Sequence, residues 1–464
     1  MKPQYRLAGF ASAIAISLFA TSAFAEPTSM QNVMAVAIDS NPQIHQAEMN
    51  KQAIEFELEQ AKGLYLPRVS LELSAGVRRL ENATRPALGI AEDELYPLAA
   101  GIRAAQTLID FGRRRGEKLR QAARVDGAAL RVVERSEFIA LQSARQYLDV
   151  LLQQRVVAAA EDNMTFHNGL VSDLSSGVSA GSISVADLQQ AQERAKAASV
   201  RVSEAKEALQ NAKIELLALS GLQVDEVQMP PAMAERLPVS LSEAVGLTRT
   251  RHPKVLEAQA DVDASYAGAK KAKGDFAPAI RLELSGRIGD DIDAFRGETN
   301  DLLGRVVLRW DIFDGGINRA KYQEMVRRAS ESRFRLHEAE RNAEADTRRA
   351  WNARETQTAV FRDLVDQSKA TDELLLSYRD QFGVGRRSLL DVLDAQNTRF
   401  NVQVRAETAR FSEMFAVYQI LASTNNLLDA FNLTAPESRR VYAREEVGYG
   451  PPAPAELQRR RYPQ

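Results

Sequence analysis

Two aspartates, three residues apart, have the type and spacing to act on charged solutes. Asp391 and Asp394 lie in the segment FGVGRRSLLDVLDAQ, which spans residues 382–396. Residues three apart share one face of a helix, and Ser388 is a suitable cap just before them. Carboxylates are favoured in a first helical turn, so a helix-start role alone would explain both. In a symmetric assembly they would instead form a ring that attracts cations.

An earlier segment of the chain repeats this pattern. VSAGSISVADLQQAQ occupies residues 178–192. Gly181 stands where the later copy has Gly385, and the two are 204 positions apart (385 minus 181). Asp187 matches Asp391 at the same offset. Each copy lies between two long stretches of helical periodicity, so we expect each to be a turn between two helices.

No catalytic constellation accompanies these segments. The 464 residues include no cysteine and four histidines, and no two histidines have the spacing of metal ligands on one helix face. A phosphate-binding loop, a nucleophile elbow and an HExxH motif are all missing from the sequence. We therefore expect no enzymatic activity, no cofactor and no metal. The balance of 60 basic and 62 acidic residues argues against a nucleic-acid partner.

The segments belong to two tandem copies of one unit. LPRVSLELS at residues 66–74 is answered by APAIRLELS at 277–285, and SNPQI at 40–44 by RHPKV at 251–255. A charged start, an apolar middle and AFA before Glu26 indicate a secretory signal peptide. The predicted organisation is a signal peptide at 1–25, a first repeat at 26–220, a proline-containing linker at 221–240, a second repeat at 241–432 and a tail at 433–464 that is disordered or loosely wrapped on the outside of the helices.

Long helices are the strongest structural signal. The stretches 182–220, 317–382 and 387–430 contain neither glycine nor proline. A helix of about 60 residues would be roughly 90 Å long, which is far beyond the helices of a globular domain. Such patterns indicate a coiled coil or a helical barrel.

Each repeat also carries two segments in which apolar and polar residues alternate. The apolar positions are Val69, Leu71 and Leu73; Ile102 and Leu108; Ile280, Leu282 and Leu284; and Val306, Leu308, Trp310 and Ile312. Strands of about 9–11 residues cross an outer membrane, although a soluble sheet would show the same alternation. Four strands cannot close a barrel, so a membrane barrel would need several chains and 8, 12 or 16 strands. The periodicity does not choose among these numbers.

The duplicated order of helix, two strands, long helix, turn and helix resembles the TolC-like outer-membrane factors. LIDFG at residues 108–112, IFDGG at 312–316 and the turn segment carry the resemblance. It implies a mainly α fold whose long helical hairpins form a periplasmic α-barrel, with four strands per chain completing a trimeric 12-stranded outer-membrane barrel. It also implies a homotrimer in the outer membrane of a Gram-negative bacterium, in contact with outer-membrane lipid and extending into the periplasm. A periplasmic adaptor and an inner-membrane ABC transporter or proton-driven pump would be its partners.

The resemblance also assigns roles to the turn residues. Asp391 and Asp394 match the aspartates of the family's periplasmic constriction. Arg387 matches a latch arginine, and Asp187 matches its acidic partner.

Other turn positions depart from the family pattern or shape the backbone. Phe382 stands where the family often has a tyrosine, and it lacks the hydroxyl of that latch. Arg386 adds a positive charge, and Gly181 and Gly385 form the turns.

We expect the protein to be the exit duct of a tripartite export system. Type I protein secretion with an ABC transporter is the first interpretation, since the chain lacks a cysteine for lipid attachment and its DFG and DGG junctions resemble the secretion branch. The alternative is the outer-membrane component of a multidrug efflux pump. A different class, a soluble periplasmic coiled-coil adaptor or structural protein, is also consistent with the helical pattern.

Overall fold

A computed structural model describes residues 27–81, 83–90, 94–293 and 295–449. The predicted signal peptide at 1–25 and the last part of the predicted tail, 450–464, lie outside the described residues. Within the described residues, no helix combines the length and apolarity needed to cross a lipid bilayer.

The two halves of the chain share the order helix, helix, strand, strand, long helix and helix, and the first half adds a short helix between its two strands. The first half contains α1 (Met30–Ser40), α2 (Pro42–Gly63), β1 (Arg68–Ala75), α3 (Thr84–Ala87), β2 (Leu98–Ile109), α4 (Arg113–Ser179) and α5 (Val185–Ser220). The second contains α6 (Leu241–Arg251), α7 (Pro253–Gly274), β3 (Ala279–Asp290), β4 (Glu298–Arg309), α8 (Ile317–Gly383) and α9 (Leu389–Ser423), followed by α10 (Leu427–Ala430) and α11 (Ala443–Glu446). Helices α4 and α8 each have 67 residues, and α2 and α7 each have 22.

An X-Pro pair interrupts the first helical stretch of each half. The Asn41 side chain accepts a hydrogen bond from the Gln43 backbone at 3.0 Å, and His252 Nδ1 accepts one from Lys254 at 3.2 Å. In both places the proline follows the cap at the first helical position, where its missing N–H leaves no bond unmade. Each stretch is therefore two helices, α1 and α2 or α6 and α7.

The four strands form one antiparallel sheet in the order β1-β2-β3-β4. Strands β1 and β4 are its two open edges. Trp310 and Ile312 were expected to continue the last strand, but β4 ends at Arg309. The chain leaves the sheet there, because the Trp310 indole donates to the Phe276 carbonyl at 3.1 Å and Gly315 follows with a positive φ of 72°.

The main core lies where the ends of the chain meet the middle of the long helices. Its buried members come from α1, α2, α4, α5, α9, α10, the linker and the residues just after α10, and they include Met34, Tyr147, Leu216, Val227 and Leu421. This cluster joins the halves, since α4 belongs to the first and α9 to the second.

The expectation of disorder from residue 433 onward is wrong for residues 433–449. Residues 437–449, here the C-terminal clasp, pack across α2, α4 and α7. Asp126 of α4 accepts backbone hydrogen bonds from Tyr442 at 3.0 Å, Ala443 at 2.8 Å and Arg444 at 3.1 Å. The Arg444 guanidinium reaches Asp126 at 2.8 Å and Asp263 of α7 at 2.7 Å. The composition of this segment indicated disorder. Composition could not show that Asp126 and Asp263, on other helices, accept the hydrogen bonds of the clasp.

Candidate functional site

The two echoed segments lie side by side at one end of the molecule. Leu174 and Ala191, which flank the first turn, share a buried cluster with Leu389 and Leu393, which follow the second. The turns at residues 180–184 and 384–388, here the entrance turns, connect α4 to α5 and α8 to α9. The fold therefore brings together the two segments that the sequence repeats.

Each entrance turn ends its long helix with a glycine in the left-handed region. Gly181 and Gly385 both have φ of 73°. The next residue closes the turn in both copies: Ser182 N–H donates to the Gly177 carbonyl at 2.9 Å, and Arg386 N–H donates to Gln381 at 2.8 Å. This is the Schellman arrangement, which satisfies the last carbonyls of a helix and requires a residue that tolerates positive φ.

Asp391 forms the N-terminal cap of α9 together with Ser388. The Ser388 hydroxyl donates to its carboxylate at 2.8 Å and the Ser388 backbone does so at 3.2 Å, while Asp391 N–H donates back to the Ser388 hydroxyl at 3.3 Å. This reciprocal capping box satisfies backbone donors that the helix cannot. The hydrogen bond from the Ser388 hydroxyl, and then that from its backbone, lowers the pKa of Asp391 below the usual value. The carboxylate therefore keeps its charge to a lower pH than an ordinary aspartate does.

Asp394 lies one turn further along α9 and is exposed. Its backbone carbonyl accepts from the Thr398 hydroxyl at 2.9 Å, but its carboxylate makes no hydrogen bond or ion pair with any described residue. Arg386 is also exposed and forms no ion pair with a described carboxylate. Both charged side chains are therefore open to solvent.

Arg387 pairs within its own turn. Its guanidinium lies 4.3 Å from the Tyr378 ring centroid, donates to the Gln381 side chain at 3.1 Å and approaches Asp391 at 3.8 Å. Asp187 instead accepts from the Ser184 hydroxyl at 2.8 Å, as the cap partner of α5. Among the described residues no ion pair joins Arg387 to Asp187, so the role of these two as a latch stays a prediction.

Phe382 is a packing residue at the end of α8. It contacts the cluster of Leu389 and Leu393 on one side and that of Leu375 and Val392 on the other. The ring holds α8 against α9 by apolar contact. It makes this contact at the position where the TolC-like family often has a tyrosine.

The sequence did not single out a polar network above the entrance turns. Arg399 of α9 bridges Asp372 of α8 at 2.7 Å and Asp162 of α4 at 2.8 Å, and it lines a cleft of about 520 Å³. Beside it, the buried amides of Gln396 and Asn163 meet at 2.9 Å. The echo of Gln192 by Gln396 was the available signal, but it says nothing about a partner on α4.

The sheet at the other end has one apolar face that no described part of the chain covers. Leu71, Ile102, Gly286 and Leu302 form one row across the four strands, and Leu71 and Leu302 are 71% and 88% exposed. Exposure of so large an apolar band indicates contact with lipid or other chains.

The DFG and DGG junctions below the sheet are helix starts. Asp110 accepts from the Arg114 backbone at 2.9 Å, and Asp314 accepts from Asn318 at 2.8 Å. Gly112 and Gly316, with φ of 96° and 88°, turn the chain from sheet into α4 and α8. Within the described residues, no three histidine, aspartate or glutamate side chains converge to hold a metal ion.

The outer membrane efflux protein family matches residues 33–222 and 244–426 of this sequence. The chain belongs to that family. It is 24% identical over 287 residues to the outer membrane efflux protein BepC of Brucella suis biovar 1, an alignment that covers 62% of this chain and 63% of BepC. The matched region thus spans slightly less than two thirds of BepC.

Solved structures show the same fold. The outer membrane protein VceC of Vibrio cholerae matches with a TM-score of 0.74 and 15% identity over 88% of this chain and 97% of VceC. The CmeC outer membrane channel of Campylobacter jejuni matches with a TM-score of 0.75 and 14% identity over 96% of this chain and 98% of CmeC.

These matches confirm the predicted fold class, a helical tunnel joined to a β-barrel, and the predicted family. Family membership places the protein in the outer membrane and sets aside the soluble adaptor.

Proposed function

We propose that the protein is the outer-membrane duct of a tripartite export system and acts as a homotrimer. The observation that carries this proposal is the sheet, whose edges β1 and β4 are open and whose apolar face is exposed. Unpaired strand edges are not tolerated in lipid, because their N–H and C=O groups find no partner there. Three copies would supply 12 strands, three times four, and close one barrel.

The helices supply a conduit below that barrel. Helices α4 and α8 have 67 residues each and are therefore roughly 100 Å long. They carry the entrance turns far from the sheet, where a periplasmic adaptor and an inner-membrane pump would meet them. Those partners supply the energy, and the duct itself opens and closes.

Type I protein secretion with an ABC transporter is the first candidate use, supported by the absence of a cysteine for lipid attachment. The DFG and DGG junctions no longer add to that case, since Asp110 and Asp314 serve to start helices. Small-molecule efflux is the second candidate, because the family description and the name of BepC both specify efflux.

Deletion and complementation in the source bacterium test the proposal. Protein released into the medium and intracellular accumulation of a fluorescent dye are measured together, in the deletion strain and after its complementation. Loss of secreted protein supports secretion, and increased dye retention supports efflux; if neither changes, the duct proposal is wrong. A second complementing gene carries Leu71→Asp and Leu302→Asp, which place charges on the apolar face. This variant should fail to complement the deletion.

A further inference from the structure

The polar face of the sheet carries more arginine than carboxylate. Side chains alternate between the two faces along each strand, so the strand register identifies this face residue by residue. Its basic residues are Arg68, Arg103, Arg281, Arg287, Arg305 and Arg309, and its acidic residues are Glu72, Glu283 and Asp301. Six positive charges against three negative charges leave a net charge of +3 on this face of the sheet in one chain.

The opposite face has a different composition. In the four strands its charged residues are Asp290 and Glu298, which face each other at the loop end of β3 and β4. The rest of that face is apolar or uncharged, as in the row of Leu71, Ile102 and Leu302. The arginines are therefore concentrated on one side of the sheet.

Most of the arginines on the polar face are not neutralised. Arg305 pairs with Glu283 at 2.8 Å, and Arg287 pairs with Asp293 at 3.0 Å. In the described part of the chain the other four, Arg68, Arg103, Arg281 and Arg309, form no ion pair. The Nε atom of Arg281 is buried and has no hydrogen-bond partner among the described residues. Solvated anions can reach this face because strong internal pairs do not occupy it.

We propose that the membrane end of the duct selects for anions, and that Arg103 and Arg281 are residues that determine this selectivity. The inference rests on the proposed function, since it needs several sheets to close with their polar faces inward. Three copies would then line one pore with twelve unpaired arginines, three times four. Charged rings inside a low-dielectric wall focus the field and raise the local concentration of the opposite charge. The favoured cargo bears carboxylate or phosphate groups.

The test must exclude the contribution of the entrance to ion selectivity, since Asp391 and Asp394 are predicted to favour cations at the other end of the duct. The background protein therefore carries Asp391→Ala and Asp394→Ala. Purified channels are placed in planar lipid bilayers under a KCl gradient, and the reversal potential gives the permeability ratio of chloride to potassium. Arg103→Gln with Arg281→Gln is the test variant, and Glu72→Gln removes an acid from the same face. Arg440→Gln, which removes an exposed arginine outside the sheet, is the matched control.

The background protein should prefer chloride. The double arginine variant should lower the chloride-to-potassium ratio by roughly twofold or more, and Glu72→Gln should raise it. If the double arginine variant lowers this ratio and Glu72→Gln raises it, a general structural effect is excluded, because both variants replace charged residues of one face by glutamine and differ in the sign of the charge removed. Pores whose ratio is the same in all variants would overturn the inference and leave the duct intact. A purified protein that forms no pores would overturn the proposed duct, and this inference with it.

Discussion

Gly116 of α4 lies so close to Lys271 of α7 that a β-carbon on Gly116 would come within 2.6 Å of the Lys271 backbone nitrogen. The contact joins the long helix of the first repeat to the second helix of the other. A glycine is used here because two backbones meet, and a backbone cannot move aside as a flexible side chain can.

Replacing Gly116 by alanine should therefore separate α4 from α7. We expect a loss of about 1–3 kcal/mol in the free energy of unfolding, as in other overpacked contacts, measured by thermal unfolding followed by circular dichroism. Gly169→Ala, in the same helix, has no heavy atom within 4 Å of its built β-carbon and is the matched control. Alanine is the better helix former, so the control should gain stability. Equal tolerance of both substitutions would contradict the close approach.

The C-terminal clasp should depend on Arg444. Arg444→Met removes the cation that bridges Asp126 and Asp263, and it leaves Asp126, which is 1% exposed, without its charged partner. Breaking a buried pair from one side costs about 3–5 kcal/mol, so the melting temperature should fall and protease should cut the clasp sooner. Arg440→Met, at an exposed position, should change neither. Unaltered protease sensitivity in the Arg444 variant would show that the clasp is held by other contacts.

Glu137 should make stability depend on pH. Burial raises its pKa from the ordinary value of 4.5 to about 8, although the Leu428 backbone donates to the carboxylate at 3.5 Å. The folded state keeps this proton up to about pH 8 and the unfolded state loses it near 4.5. Stability from this group therefore falls as pH rises between those values and is constant above them, a loss on the order of a few kcal/mol.

Glu137→Gln keeps the shape and removes the titration. Melting temperatures at pH 5 and pH 8.5 should differ less in this variant than in the wild-type protein. Glu161→Gln, an exposed control that loses only the 2.8 Å pair with Lys206, should keep the wild-type difference. An identical pH dependence in all three proteins would rule out Glu137 as its source.

Substitutions of Asp391 and Asp394 should differ in their effects on stability. Asp391→Ala removes the capping box and should lower the melting temperature, whereas Asp394→Ala touches no described partner and should leave it unchanged. Each substitution should weaken blockade by multivalent cations in single-channel recordings, since each removes a charge from the predicted ring. Blockade that persists in the double variant would count against the ring.

Much of the fold could be predicted from the sequence, because long helices and alternating strands leave periodic signals. The 67-residue helix from Ile317 to Gly383 is an example, since the sequence contains no breaker from residue 317 to 382. The positions of Gly181 and Gly385 also followed from local chemistry, because a helix that ends in a left-handed residue favours glycine.

Tertiary partners could not be read from the sequence. Arg444, Arg399 and Asn163 each have at least one partner between 181 and 318 positions away, and a surface charge has the same sequence signal whether it is paired or solvated. The sequence allowed two roles for Asp391, helix capping and membership of a ring of charges. The structure shows the capping role, and a role in a ring would be additional to it.

The central claim is that neighbouring chains complete the sheet into a membrane barrel. The chain has no native cysteine, so engineered pairs report without background. Ser70→Cys on β1 is combined in turn with cysteine at Asp301, Leu303 or Arg305 on β4. Within one chain these strands are three spacings, about 14 Å, apart, which is too far for a disulfide. Oxidation in outer membranes should give a covalent three-chain product in at least one pair, and reductant should return it to the single chain. Only single chains in all three pairs would contradict the account.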